Sequence, residues 1–127
     1  VKCHGEMTEE NAKYQIDAIQ NYTRGKMAKA EFWLANLIDA INKAKEMGVS
    51  KDVIEKAYDY QYDGNLYWEW WTAENSDGFH NPENARESLT RSIDASKDGI
   101  AMLKKAMGEM KVGAAAPAAA PATEKKY

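Results

Sequence analysis

Cysteine is all but absent from this chain: there is one in 127 residues, Cys3. A lone cysteine rules out an internal disulfide framework. Histidine is nearly as scarce, with two copies, His4 and His80. A tetrahedral zinc centre asks for four strong ligands. Cys3, His4 and His80 supply three, and no Cys-x-x-Cys pair is present. Basic residues are not in excess, since 17 Lys and Arg face 20 Asp and Glu for a net charge of -3. That balance leaves no electrostatic footprint for nucleic acid. Long apolar runs are missing too, so nothing approaches the roughly 20 residues of a membrane span. There is no phosphate loop, no nucleophile triad and no paired acid/base carboxylates. The chain does not begin with Met and is expected to lack its true N-terminus, so the absence of a visible signal peptide carries no weight. Its length suits one domain, or one part of a larger one.

What is present reads as helix. Apolar residues recur at helical spacing from about Glu9 to Met47: Tyr14, Ile19, Tyr22, Met27, Ala30, Trp33, Leu34, Leu37, Ile38, Ile41 and Ala44. Thr8 is the expected N-cap and Gly48 the expected stop. Some 38 residues at 1.5 Å each reach about 57 Å. A helix of that length needs partners that so short a chain supplies only in part. A second helix is expected from Lys51 to Glu74, with Ser50 as cap and Val53, Ile54, Ala57 and Tyr58 as its first apolar face. Asp63-Gly64-Asn65 reads as a weak point where it kinks. A third helix opens at Asn81-Pro82-Glu83, a cap, a first-turn proline and a first-turn acid. Its seam is Leu89, Ile93, Ser96, Ile100, Leu103 and Met107, alternating four and three as in antiparallel bundles. Beyond about Lys111 the composition turns to Ala and Pro, a low-complexity tail. The expected fold is all-α: a long helix plus two further helices in an antiparallel bundle.

The residues able to carry chemistry are few. Cys3-His4 would complete Cys-x-x-Cys-His, the attachment motif of a c-type haem, if a cysteine stood one residue before Val1. The chain is therefore expected to open inside such a motif. The competing reading is an ordinary Cys-His dipeptide. His80 lies one residue before a helix cap, on a turn with Gly78 on one side and Pro82 on the other. The positive end of the helix dipole disfavours protonation of a nearby imidazole, and a neutral imidazole is what a metal takes. A surface or capping histidine is the plainer alternative. Trp68, Trp70 and Trp71 either pack in a core or lie against a flat cofactor, and composition does not choose between them.

The stretch Tyr67-Trp68-Glu69-Trp70-Trp71-Thr72-Ala73-Glu74-Asn75-Ser76-Asp77-Gly78-Phe79-His80-Asn81-Pro82-Glu83 resembles the C-terminal signature of the ammonia-forming cytochrome c nitrite reductases, the cytochrome c552 family. In that family the last haem motif lies upstream of such a histidine, separated by a long helix and a shorter one. Cys3-His4 stands where that motif should end. The resemblance implies that Cys3 is a thioether anchor and His4 the proximal ligand of the final haem. It implies that His80 is the distal ligand of a neighbouring haem. It further implies several haems c in the intact protein, a six-electron reduction of nitrite to ammonium, and catalytic residues lying wholly upstream of Val1. A calcium ion, where one is bound, belongs to that upstream part as well.

On the same footing residues 1–7 are the end of a haem attachment motif, and residues 8–111 a helical haem-supporting and dimerisation region. Residues 112–127 are then an Ala/Pro-rich disordered tail. The implied setting is a homodimer in the periplasm, supplied by a membrane-anchored quinol-oxidising cytochrome. Trp70-Trp71 and the tail depart from the family pattern and leave the pentahaem or octahaem subgroup open. Two other readings stand beside this one: a multihaem electron carrier without a catalytic haem, and a non-haem helical interaction module.

Overall fold

A computed structural model of the chain describes residue 5 and residues 7–115, with side chains described as far as residue 111. Among the described residues there are three helices: α1 (Glu9–Glu46), α2 (Lys51–Ala73) and α3 (Pro82–Ala115). Each packs against the other two. Among the described residues no helix is long and apolar enough to cross a membrane. The expected all-α bundle is what forms, and α3 continues to Ala115.

The ends of the helices follow from local chemistry. Asn11 N–H donates to Thr8 Oγ1 at 3.2 Å, so Thr8 satisfies one of the four orphan donors of α1. At the other end Gly48 takes φ +78°. Its N–H reaches the Lys45 carbonyl at 3.0 Å, and Val49 N–H reaches the Ala44 carbonyl at 3.0 Å. That pair of bonds is a Schellman stop. Ser50 occupies the N-cap of α2 but makes no side-chain cap bond. For α3, Asn84 N–H donates to Asn81 Oδ1 at 3.2 Å.

Two hydrophobic clusters run along the bundle. One joins Leu37, Ile41 and Ala44 of α1 to Ile54 and Ala57 of α2 and Ile100, Leu103 and Met107 of α3. The other holds Ala30, Trp71, Ala85, Leu89 and Ile93. The predicted α3 seam is buried at every position, Ser96 included. Between the clusters the helices approach closely. Ser92 Oγ donates to the Gly64 carbonyl at 2.7 Å, and Ser96 Oγ to the Ser92 carbonyl at 2.9 Å. A Cβ on Gly64 would lie 2.9 Å from Ser96 Oγ.

That contact corrects one expectation. Helix α2 runs unbroken through Asp63-Gly64-Asn65. Gly64 is there because α3 leaves no room for a side chain, and tertiary contact overrides the turn propensity of the tripeptide. A second correction concerns α1. Its buried residues begin at Thr23, and Tyr14 and Tyr22 of the predicted apolar set stay 74% and 56% exposed. No side chain of residues 9–22 is fully buried, although Ala12, Ile16, Ile19 and Gln20 are half-buried, on the side where Phe79 and the loop after α2 approach α1.

Candidate functional site

Between the end of α2 and the start of α3 the chain folds into a tight loop, and its centre is a carboxylate. Glu74 leaves the helix in an extended conformation. Its Oε1 accepts from Ser76 N–H at 3.0 Å. Its Oε2 accepts from the Ser76 hydroxyl at 2.7 Å and from Gly78 N–H at 3.1 Å. The hydrogen bond from the Ser76 hydroxyl is the main force holding the Glu74 carboxyl below its ordinary pKa. Burial opposes it, and the N–H groups of Gly78 and Ser76 and the charge of His80 add to the lowering.

Two residues of the loop take the left-handed conformation, Asp77 at φ +51° and Gly78 at φ +80°. Asp77 forms an ion pair with Arg24 of α1. Gln20 Nε2, one turn earlier, donates to the Ser76 carbonyl at 3.1 Å. Gly78 rests against buried Thr23, whose Oγ1 donates to the Ile19 carbonyl at 3.1 Å. The loop is thus tied to α1 at three consecutive points.

His80 is carried on this fixed loop. Its N–H donates to Ser76 Oγ at 3.1 Å. Its side chain is 73% exposed, with Nδ1 3.5 Å from Glu74 Oε1. Phe79 lies beside it, ring centroids 6.4 Å apart. Phe79 also closes an apolar groove of about 320 Å³ with Met7, Ala12, Ile16 and Ile19. The site therefore combines an immobilised backbone, a projecting imidazole and an adjoining apolar wall. Such an imidazole offers one nitrogen to a metal while the other stays hydrogen-bonded. Among the described residues no three His, Cys, Asp or Glu side chains converge on a metal position. Among the described residues His80 thus stands as a single candidate donor.

Of the three residues singled out from the sequence, His80 stands where the capping pattern placed it. Cys3 and His4 lie outside the described residues. Sequence reasoning missed Glu74, Ser76, Gln20 and Arg24. The spacing Glu74-x-Ser76-x-Gly78 was a usable local signal, whereas Gln20 and Arg24 meet the loop only through the fold. Of the tryptophans, Trp71 is 4% exposed, Trp68 packs on the same cluster, and Trp70 is 68% exposed. Core packing accounts for the first two. A roomier groove of about 520 Å³ lies between α1 and α3, bordered by Tyr22, Lys26, Lys29, Asp94 and Lys97. It does not include His80.

The family model described as Cytochrome c552 matches residues 1–127. A relative, the cytochrome c nitrite reductase subunit NrfA of Nitratidesulfovibrio vulgaris (strain ATCC 29579 / DSM 644 / CCUG 34227 / NCIMB 8303 / VKM B-1760 / Hildenborough), is 28% identical over 104 residues. The alignment covers 78% of this chain and 20% of that protein.

Proposed function

The chain belongs to the cytochrome c552 family, and from that premise we propose that it is the C-terminal, electron-relay part of a multihaem nitrite reductase that converts nitrite to ammonium. The observation that carries this reading is His80. It is a projecting imidazole on a loop pinned to α1, beside an apolar groove. A surface histidine needs none of that scaffolding.

The family implies haem c, and the residues fit it. Haem brings most of the ligands of its own iron, so a single imidazole such as that of His80 would suit it. The apolar wall of Met7, Ile16, Ile19 and Phe79 suits its hydrocarbon edge. His80 would hold the iron of one haem. Cys3 and His4 would supply a thioether anchor and the proximal ligand of another. Bound haem supplies one-electron chemistry at iron. Ligation by His80 would suit that haem to electron transfer rather than to binding nitrite. The protein's part is to fix the ring, keep water from the apolar edge and hold the helices in register. Nitrite chemistry belongs to residues outside this chain.

The exposed face of α1 over residues 9–22 supports a further element of the proposal. An exposed helix carrying Tyr14 and Tyr22 calls for a covering surface, and a second copy of the protein supplies one in a homodimer. Haem c is attached outside the cytoplasm, so the reading carries with it a periplasmic location. Electrons would arrive from a membrane-anchored quinol-oxidising cytochrome.

The test is covalent. Peptide mass mapping of the intact, haem-matured protein should find Cys3 in a haem-bearing peptide together with a second cysteine, and Cys3→Ser should disrupt that attachment. An unmodified Cys3 in otherwise haem-loaded protein would sink the assignment.

A further inference from the structure

Resting on the ligand reading of His80, we infer that Glu74 is the positioning residue for the imidazole: it takes the Nδ1 proton side of the ring and so presents Nε2 outward to the metal. An imidazole that is 73% exposed has two nitrogens and free rotation about its side chain, and nothing in the helix cap chooses between them. Glu74 does. Its Oε1 lies 3.5 Å from Nδ1, within ion-pair distance and on the Nδ1 side of the ring. No other carboxylate lies within ion-pair distance of His80 among the described residues. The neighbouring acids are engaged elsewhere, Asp77 with Arg24 and Glu83 with Arg86.

Glu74 is also a rigid acceptor. Three hydrogen bonds, from Ser76 N–H, Ser76 Oγ and Gly78 N–H, fix both of its oxygens. The Ser76 hydroxyl donates to Glu74 and accepts from His80 N–H. Carboxylate, hydroxyl and histidine backbone thus form one linked circuit beneath the ring. A carboxylate on the far nitrogen of a metal-bound histidine fixes its tautomer and strengthens it as a donor. A stronger donor with a negative neighbour favours ferric over ferrous iron. Glu74 therefore sets the reduction potential of one haem low and keeps its axial ligand in place.

The experiment uses the intact, haem-loaded protein with Glu74→Gln, which preserves size and removes the charge. Spectroelectrochemical titration should show one haem shifted to more positive potential and the others unchanged. Carbon monoxide binding to the reduced protein, which requires the axial histidine to leave, should become about 10-fold faster or more at that haem. Native potentials and native carbon monoxide rates in a folded Glu74→Gln protein overturn the inference. Should Glu74→Gln not fold, Ser76→Ala carries the test. It keeps the charge but cuts the circuit, so faster carbon monoxide binding at one haem is expected, and an unchanged rate overturns the inference. His80→Ala separates the two layers. If it opens no haem, the ligand reading fails. If it opens one while Glu74→Gln behaves as native, only the role of Glu74 fails.

Discussion

Gly78 has two independent reasons to be glycine. Its φ is +80°, and a Cβ there would lie 2.6 Å from Thr23 Oγ1 and 3.1 Å from Ala85 Cβ. Thr23 is buried with its hydroxyl committed to Ile19, so it has little freedom to retreat. Gly78→Ala should destabilise the chain by about 1–3 kcal/mol in urea unfolding. A midpoint equal to the native one would mean the loop yields freely. The sequence spoke clearly at Gly78, Asn81 and Pro82, because turn and cap chemistry is local. Glu74 was harder to read, because a glutamate has no turn signature of its own: only its spacing to Ser76 and Gly78 marks it, and it gains its role when those two fold back onto it. Glu74 also sets a pH dependence. Its native pKa lies below the ordinary value of 4.5. A depressed carboxyl stabilises the fold above its unfolded pKa and loses that contribution as pH falls through the native one. The stability gap between the native chain and Glu74→Gln should thus be widest near neutrality and close as pH drops below 4.5. A gap constant with pH would contradict the hydrogen-bond assignment.

Helix α3 touches both of its neighbours, which is why its four-three seam was readable and buried throughout. Leu103 is fully buried in the cluster it shares with Leu37 and Ile41. Leu103→Ala should cost about 2–5 kcal/mol in chemical denaturation, and a loss under 1 kcal/mol would mean the seam packs loosely. Helix α1 teaches the opposite lesson. Its apolar period runs through Tyr14 and Tyr22, yet both remain exposed. Periodicity reports which face of a helix is apolar, not what covers it. Tyr14→Ser should therefore change the stability of this chain by no more than about 0.5 kcal/mol. In the intact protein the same substitution should weaken self-association, measured by sedimentation. Equal dimerisation of both forms would remove residues 9–22 from the interface. Gly64 fails in yet another way: Asp-Gly-Asn is a turn signal, and only the proximity of Ser92 and Ser96 explains why it sits inside a helix.

At the scale of the molecule, one end of the bundle gathers everything with chemical meaning. The projecting start of α1, the apolar groove with Phe79 and the loop bearing His80 all lie there. The opposite end is a plain Schellman turn between α1 and α2. That asymmetry could not be read from composition, since it depends on how far α2 extends along α1. The direct measurement is low-temperature EPR of the intact holoprotein carrying His80→Ala. Ligation by this imidazole predicts that one low-spin ferric signal gives way to a high-spin one and that added imidazole restores it. Retention of every low-spin signal in the variant would contradict it.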